Sequence, residues 1–231
     1  SATELAAIDE LLARRIQTRQ PAAYLTGEAW LQGLPFHVDE RVIVPRSLIA
    51  EVLADGSAEP WLAAEPARIL DLCTGNGSLA VLAALAWPQA RVDASDLSAD
   101  ALAVARLNLA RHAVAARVTL HQGDGLAAVQ GCYDLVLCNP PYVNRDSMSA
   151  LPAEYQAEPR VALDGGADGM DFIRPLLGQL SPYLSDRGVL LLEVGHERAH
   201  FEAAFPRLQP VWLPTSAGDD AVLLLTREDF A

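Results

Sequence analysis

"RILDLCTGNGSLAVLAALA", residues 68–86, links a short apolar strand to an apolar helix through the loop Thr74-Gly75-Asn76-Gly77. Glycines allow the backbone to approach a ligand closely, and the first N–H groups of the following helix face that ligand. In sheets built from such units, ligands bind outside the carboxyl ends of the strands. The stretch therefore predicts an α/β fold with a nucleotide-type loop.

The order of elements around this stretch predicts a mostly parallel sheet that is covered by helices on both faces. Strands are expected at residues 68–73, 91–96, 117–122, 133–138 and 188–195, with a closing pair at 208–214 and 220–228. Helices are expected at residues 78–86, 98–111, 171–184 and 196–204. Ser98 is the expected N-cap of the second of these helices.

A different pattern precedes the sheet. Four apolar residues recur at helical spacing near the N terminus: Leu5, Ile8, Leu12 and Ile16. They predict a helix over residues 3–19 that ends before Pro21. Residues 24–46 are rich in aromatic and β-branched residues around Gly33, which predicts a hairpin. Residues 54–66 carry glycine, serine and proline and are expected to form a helix end and a loop.

Composition limits the classes of function. Hydrophobic residues make up 51% of the 231, and the formal net charge is −13. Such a charge repels phosphate backbones, so non-specific nucleic-acid binding is not expected. No apolar run reaches the length of a membrane span and no signal peptide is visible, which predicts a cytoplasmic protein without a membrane partner. The three cysteines have no metal-site spacing, so we expect no metal and interpret them as small buried hydrophobes.

The glycine loop has an acidic partner. Asp96 ends the second strand, nineteen positions after Gly77, which matches the acidic residue that holds ribose hydroxyls in this type of fold. The pattern Gly75-x-Gly77-x-x-Ala80 also fits a dinucleotide fingerprint, so the loop by itself leaves a nicotinamide cofactor open. Asp71 favours another ligand, because its charge would repel a pyrophosphate but suits the ammonium group of a methionine moiety.

Asp124 follows the third strand and is expected at the same edge of the sheet. A carboxylate there would accept a hydrogen bond from the exocyclic N–H of adenine. The residue would serve equally well as the N-cap of a helix over residues 125–129. The sequence leaves both roles open.

The fourth strand ends in Asn139-Pro140-Pro141-Tyr142, which we call the tetrapeptide. If the cofactor is S-adenosyl-L-methionine, the Asn139 oxygen and the Pro140 carbonyl would hold the two hydrogens of a planar NH₂ group and aim its nitrogen at the methyl group. Tyr142 would lay its ring on the flat face of an amide or a base. A strong base is not required, because the nitrogen becomes acidic as the methyl group arrives. A rigid turn is the alternative interpretation of the two prolines, but we favour the functional one because the tetrapeptide falls at the ligand-binding edge that the glycine loop predicts.

Several motifs together resemble one enzyme family. "DLCTGNG" (71–77), "SDLS" (95–98), "GDG" (123–125) and "NPPY" (139–142) resemble the class I methyltransferases that modify planar nitrogens. "PAAYLTGEAWLQGLPFHVDERVIVPRS" (21–47), "LPAEYQAEPRVALDGGADGMD" (151–171), "EVG" (193–195) and "GDDAVLLLTRE" (218–228) resemble the protein-glutamine methyltransferases more narrowly. "VPRS" and "LPAEYQAEP" resemble the branch that modifies ribosomal large-subunit protein three, rather than the branch that modifies peptide-chain release factors.

The resemblance implies a Rossmann-like sheet of seven strands with an antiparallel last strand, and S-adenosyl-L-methionine as cofactor. It implies that residues 1–20 are the remnant of an N-terminal helical substrate-docking domain, 21–46 a connecting hairpin and 47–231 the catalytic domain. The cofactor's methionine end would contact Asp71, Cys73, Thr74, Gly75, Asn76 and Gly77, its ribose Asp96, its adenine Asp124 and Gly125, and its reacting end Asn139. The substrate glutamine would be held by Asn139, Pro140, Pro141 and Tyr142.

The sequence departs from the family at position 125, where the release-factor enzymes tend to have an aromatic residue and this chain has Gly125. Two other functions share the same motifs. An adenine-amino methyltransferase of nucleic acid would use the same tetrapeptide, and a non-enzymatic protein would bind the cofactor without using it.

Overall fold

A computed structural model describes residues 1–62 and 64–230. Its main sheet has seven strands in the order β5-β4-β3-β6-β7-β9-β8. The strands are β3 (Arg68–Leu72), β4 (Arg91–Asp96), β5 (Val118–Gln122), β6 (Tyr133–Cys138), β7 (Leu184–Glu193), β8 (Val211–Thr215) and β9 (Gly218–Thr226). The first five are parallel, and β9 is antiparallel to both of its neighbours. The predicted seven-stranded α/β sheet with an antiparallel last strand is confirmed.

The strands separate two buried clusters because successive side chains point to opposite faces of a sheet. On β3, Ile69 belongs to one cluster and Leu70 to the other. Helices contribute to the clusters on both faces: α3 (Ile49–Asp55), α4 (Ser78–Ala86) and α5 (Ala99–Arg111) to one, and α8 (Ile173–Gln179) and α9 (Arg198–Ala204) to the other. The short helices α6 (Arg145–Ala150) and α7 (Ala153–Gln156) have no buried residues. Ser98 is the N-cap of α5, as predicted, and its hydroxyl accepts a hydrogen bond from the Ala101 N–H.

One predicted helix was wrong in extent. The helix expected at residues 171–184 ends at Gln179, and a 3₁₀ turn containing Pro182 follows it. Proline supplies no N–H to continue a helix, and Leu184 begins β7 instead. The helix end and loop expected at 54–66 are confirmed for the residues described there, all but 63: α3, which begins at Ile49, ends at Asp55, and the loop contains a 3₁₀ turn, Glu59–Trp61. The interpretation of all cysteines as buried was also wrong, because Cys132 is exposed.

The N-terminal region lies outside the sheet. The expected first helix is present as α1 (Ala2–Thr18), followed by α2 (Ala22–Thr26). The hairpin expected within residues 24–46 is shorter than predicted and consists of β1 (Glu28–Leu31) and β2 (Leu34–His37). In the described part of the chain, no helix has the length and apolar content needed to cross a bilayer.

Candidate active site

The carboxyl ends of the central strands meet at one edge of the sheet. Leu72 of β3 lies beside Ser95 of β4 and beside Cys138 of β6, and Cys138 in turn lies beside Leu192 of β7. The residues that directly follow these positions are therefore neighbours in space. This register brings the glycine loop and the tetrapeptide, which are far apart in sequence, to the same place.

A cavity of about 330 Å³ opens at this edge, a volume in the range of small-molecule sites. Most of the residues that the sequence singled out line it: Cys73, Thr74, Gly75, Asn76, Asp96, Asp124, Gly125, Asn139 and Pro141. Asp71, Gly77, Pro140 and Tyr142 do not belong to the cavity wall of the described chain. The structure thus brings most of the predicted site residues together in one cavity, whereas these four residues lie outside its wall.

The two loop glycines differ in what surrounds them. Gly75 has φ +55°, and a Cβ added there would meet only the Cys73 carbonyl oxygen, at 4.0 Å, so the cavity side stays open. Gly77 has φ +80°, and a Cβ there would approach the Ala105 Cβ to 3.1 Å. Gly77 therefore allows α4 to pack closely against α5, and its missing side chain serves packing rather than the cavity wall.

Asp71 lies under the loop and is fully buried. Its Oδ2 accepts hydrogen bonds from the Thr74 hydroxyl, at 2.5 Å, and from the Ala80 N–H, at 3.0 Å. Its Oδ1 has no hydrogen-bond partner among the described residues, and the same holds for Nδ2 of Asn76 in the cavity wall. Burial, with the charge of Asp96 as a smaller cause, raises the pKa of Asp71 to about 7. The orphaned Nδ2 of Asn76 belongs to the cavity wall and suits a ligand that carries a carboxylate group, whereas the orphaned Oδ1 of Asp71 is buried outside that wall.

Asp96 and Asp124 face the cavity from the next two strand ends. Asp96 accepts hydrogen bonds from the N–H groups of Gly75 and Ser98, both at 2.9 Å, and burial raises its pKa. Asp124 stands at the N-cap position of a 3₁₀ turn, Gly125–Ala128, but its side chain makes no capping hydrogen bond. The helix-cap role that the sequence left open is therefore not seen, and the carboxylate is available to a ligand.

The cavity carries no uncompensated positive charge in the part of the chain that is described. Arg41 and Arg46 both line it, but Arg41 pairs with Asp39 at 2.6 Å and Arg46 with Glu158 at 2.7 Å. The carboxylates near the cavity are not matched in this way. Such a site attracts a cation and disfavours a pyrophosphate, which argues against the nicotinamide cofactor that the glycine pattern alone left open.

Asn139 presents a free carboxamide to the cavity. It follows Cys138 directly, lines the cavity wall, and its side chain has no hydrogen-bond partner within residues 1–62 and 64–230. Asn76, Asn108 and Asn144, by contrast, all use their side chains in hydrogen bonds within the protein. Pro141 also lines the cavity, whereas Pro140 is buried. The unused donor and acceptor of Asn139 are the groups that a planar NH₂ ligand needs.

Tyr142 is fixed by the protein itself. Its hydroxyl donates a hydrogen bond to Oε1 of Glu193 at 3.1 Å, and the other oxygen of this buried carboxylate binds the Ser47 hydroxyl and the Leu48 N–H at 2.6 and 2.9 Å. Burial raises the pKa of both Tyr142 and Glu193. The hydroxyl is thus engaged with Glu193, and the side chain connects the tetrapeptide to the segment before α3.

Glycines make room for Tyr142 on its other sides. A Cβ at Gly195 would lie 2.5 Å from the Tyr142 ring, one at Gly165 2.7 Å from its Cα, and one at Gly169 2.3 Å from its carbonyl oxygen. These distances are far inside van der Waals contact, so each glycine permits an approach that no other residue allows. The glycines of "DGGADG" and "EVG" therefore position the tetrapeptide.

Sequence reasoning missed the residues that form the opposite wall. Arg46 makes two hydrogen bonds to the buried Glu158, at 2.8 and 2.7 Å, and lies 4.6 Å from the ring centroid of Tyr155. This ion pair ties the segment after the hairpin to the segment that contributes Pro159 and Val161 to the cavity. No periodicity marks such a pair in the sequence, because its partners lie more than 100 residues apart.

Phe172 was also missed. It lines the cavity, and a Cβ at Gly125 would lie 3.7 Å from two of its ring carbons. The aromatic surface that the sequence lacks at position 125 is therefore supplied from a distant segment. A Cβ at this distance makes only ordinary van der Waals contact with the ring, so it is the φ of +52° that favours glycine at position 125.

The raised pKa of Asp71 gives a testable pH dependence. Between its ordinary pKa near 3.8 and the folded value of about 7, the folded protein binds a proton that the unfolded chain does not, so this contribution to stability is lost as the pH rises. From pH 5 to pH 7, the free energy of unfolding of wild type is expected to fall by about 2 kcal/mol more than that of Asp71→Asn, which lacks the titrating carboxyl. Urea unfolding of both proteins at the two pH values measures this. Parallel pH profiles would contradict it.

Comparisons with known proteins agree with this site. The sequence profile described as "Methyltransferase small domain" matches residues 57–155. A Bordetella pertussis protein named ribosomal protein uL3 glutamine methyltransferase is 58% identical over 98% of this chain and 76% of its own length. A protein of the same name from Burkholderia pseudomallei is 52% identical over 96% and 75%.

Solved structures show the same fold at low sequence identity. A methyltransferase from Pyrococcus furiosus covers 98% of this chain, and 99% of that protein is matched, with a TM-score of 0.63 and 17% identity. With the sheet order, the cavity and the close relatives in agreement, this chain belongs to the ribosomal protein uL3 glutamine methyltransferase family and has the class I methyltransferase fold.

Proposed function

We propose that this chain transfers a methyl group from S-adenosyl-L-methionine to the side-chain amide nitrogen of a glutamine in ribosomal protein uL3. The observation that carries the proposal is the free carboxamide of Asn139 in the wall of an acidic cavity. The names of the close relatives support the choice of substrate. A reaction on a ribosomal protein would take place in the cytoplasm, and a basic ribosomal protein would be attracted to a chain of charge −13.

The cavity residues fit the cofactor in order along the sheet edge. The orphaned Nδ2 of Asn76 suits the carboxylate of the methionine end, with Thr74 and Gly75 beside it in the cavity wall. The contact expected of Asp71 remains a prediction, because Asp71 is buried outside that wall. Asp96 is placed to accept from ribose hydroxyls. The adenine would lie near Asp124, Gly125 and the ring of Phe172, which also line the cavity. When bound, S-adenosyl-L-methionine supplies an electrophilic methyl group on a sulfonium.

The tetrapeptide orients the glutamine. The Asn139 oxygen accepts a hydrogen bond from one of the two amide hydrogens. The second acceptor, the Pro140 carbonyl, remains a prediction, because Pro140 is buried outside the cavity wall in the described chain. Holding the amide and the methyl donor in a fixed geometry makes the reaction effectively unimolecular, which lowers the barrier. As the nitrogen gains the methyl group it becomes acidic and loses a proton, so these residues need to orient the amide rather than deprotonate it beforehand.

Tyr142 acts in this scheme through position. With its hydroxyl on Glu193 and its ring against Gly195, it holds Asn139 and Pro140 at the end of β6. The stacking role that the sequence suggested for its ring remains a prediction, since the cavity wall reaches Pro141 but not Tyr142 in the described chain.

Methyl transfer to three substrates tests the proposal. The purified chain with tritiated S-adenosyl-L-methionine is expected to label uL3 well above a peptide-chain release factor or an adenine-containing oligonucleotide. Preference for the release factor would assign the other branch of the family, and labelling of the oligonucleotide alone would contradict glutamine as the acceptor. Labelling of none of the three would contradict the proposed function.

A further inference from the structure

A second depression opens beside the cofactor cavity. It has a volume of about 830 Å³ and shares three wall residues with the cavity: Pro141, Val161 and Phe172. The rest of its wall comes from α6 and from residues 160–171, through Arg145, Met148, Ser149, Arg160, Asp164, Gly166 and Asp171. We call it the outer groove. The residues that line the outer groove but not the cavity have no role in the reaction described above.

The outer groove borders the cavity along a wall that includes Phe172 and that reaches the reacting end at Pro141. In the sheet, β4 with Asp96 lies on one side of β3, and β6 with Asn139 lies on the other. Pro141, two residues after Asn139, belongs to the cavity and to the groove. A glutamine side chain is short, so a glutamine whose amide reaches Asn139 has its backbone close to the mouth of the cavity, where the groove begins.

The chemistry of the groove suits a polypeptide. Met148, Phe172 and Val161 give it an apolar wall, and Val161 is 59% exposed although it is a large hydrophobic residue. Arg145 makes no ion pair within the described residues and can donate to backbone carbonyls, while Arg160 is paired with Asp164 at 2.8 Å. An exposed apolar surface with free donors at its rim is typical of a site that binds an extended chain.

We propose that the outer groove binds, in extended form, the segment of the substrate protein that flanks the methylated glutamine. The proposal rests on the proposed function, because it takes the glutamine to be part of a protein. The groove would then contribute to recognition of the sequence around the glutamine, whereas the cavity and Asn139 recognise the amide itself.

Filling the groove tests the proposal. Ser149 is exposed on α6 and lines the groove, and Ala150, the next residue, is exposed on the same helix but does not line it. Ser149→Trp is expected to raise KM for uL3 about tenfold or more, with affinity for S-adenosylhomocysteine unchanged. Ala150→Trp is expected to keep the KM of wild type. Arg145→Glu provides a second variant that adds no bulk, and it is expected to raise KM in the same direction.

The outcomes separate the two proposals. If wild type methylates uL3 and both groove variants keep its KM, the groove proposal is overturned while the proposed function stands. If the groove instead binds a second copy of this chain, Ser149→Trp changes the sedimentation of the enzyme and leaves KM unchanged, which also overturns it. If wild type transfers no methyl group to a protein glutamine, the proposed function fails, and the groove proposal fails with it.

Discussion

Replacing Asn139 with alanine is expected to lower kcat for glutamine methylation by about 100- to 1000-fold. The cavity wall keeps the other cofactor contacts, so the dissociation constant for S-adenosylhomocysteine is expected to stay within about threefold of wild type. The Asn139 side chain has no hydrogen-bond partner in the described structure, so its loss leaves no protein group unpaired and stability is expected to remain nearly unchanged. Single-turnover kinetics and calorimetry separate these effects.

A second substitution at this position tests geometry rather than chemistry. Asn139→Gln keeps the carboxamide but moves it by one methylene, and a misplacement on the order of 1 Å costs about 100-fold in rate. We therefore expect a slow enzyme here as well. Wild-type turnover in Asn139→Ala would remove the basis of the proposed mechanism, and wild-type turnover in Asn139→Gln would show that orientation by this side chain is not what limits the reaction.

Replacing Gly169 with alanine is expected to destabilise the protein by roughly 2 to 4 kcal/mol. The added Cβ would lie 2.3 Å from the Tyr142 carbonyl oxygen, and at φ +81° the backbone conformation is unfavourable for alanine. Because the clash is with backbone, the tetrapeptide has to move, and kcat is expected to fall together with stability. Urea unfolding and turnover measured on the same preparation test both parts.

Gly178 provides the matched control. It lies within α8, and a Cβ there would meet nothing within 4 Å. Gly178→Ala is therefore expected to stabilise the protein by about 0.5 to 1 kcal/mol, the helix preference of alanine over glycine, and to leave turnover unchanged. A Gly169→Ala variant as stable and active as Gly178→Ala would contradict the role assigned to the glycines around Tyr142.

Strand ends were the part of the site that the sequence could predict. Asp96 is the last residue of a predicted strand and Asn139 directly follows another, and the carboxyl ends of strands in a parallel sheet share one edge, so their convergence follows from local pattern alone. For α3 the sequence predicted the end but not the start at Ile49, because a brief apolar run has no clear period and this start carries no side-chain cap.

The opposite wall could not be predicted in this way. The contacts of Glu193 with Ser47 and Tyr142, and of Arg46 with Glu158, join residues that are 51 to 146 positions apart. Nothing in the local sequence distinguishes a buried glutamate with three hydrogen-bond donors around it from an ordinary surface glutamate. Only the fold brings these partners together, and they fix the wall against which the cofactor and the substrate have to fit.

The most direct test of the central claim is peptide mass spectrometry of uL3 isolated from cells with and without this protein. We predict one uL3 glutamine that carries an additional methyl group on its side chain in the first cells and is unmodified in the second. Wild-type protein returned to the cells that lack it is expected to restore the modification, whereas the Asn139→Ala variant is expected not to restore it. A uL3 whose glutamines are equally methylated in both cells would contradict the account.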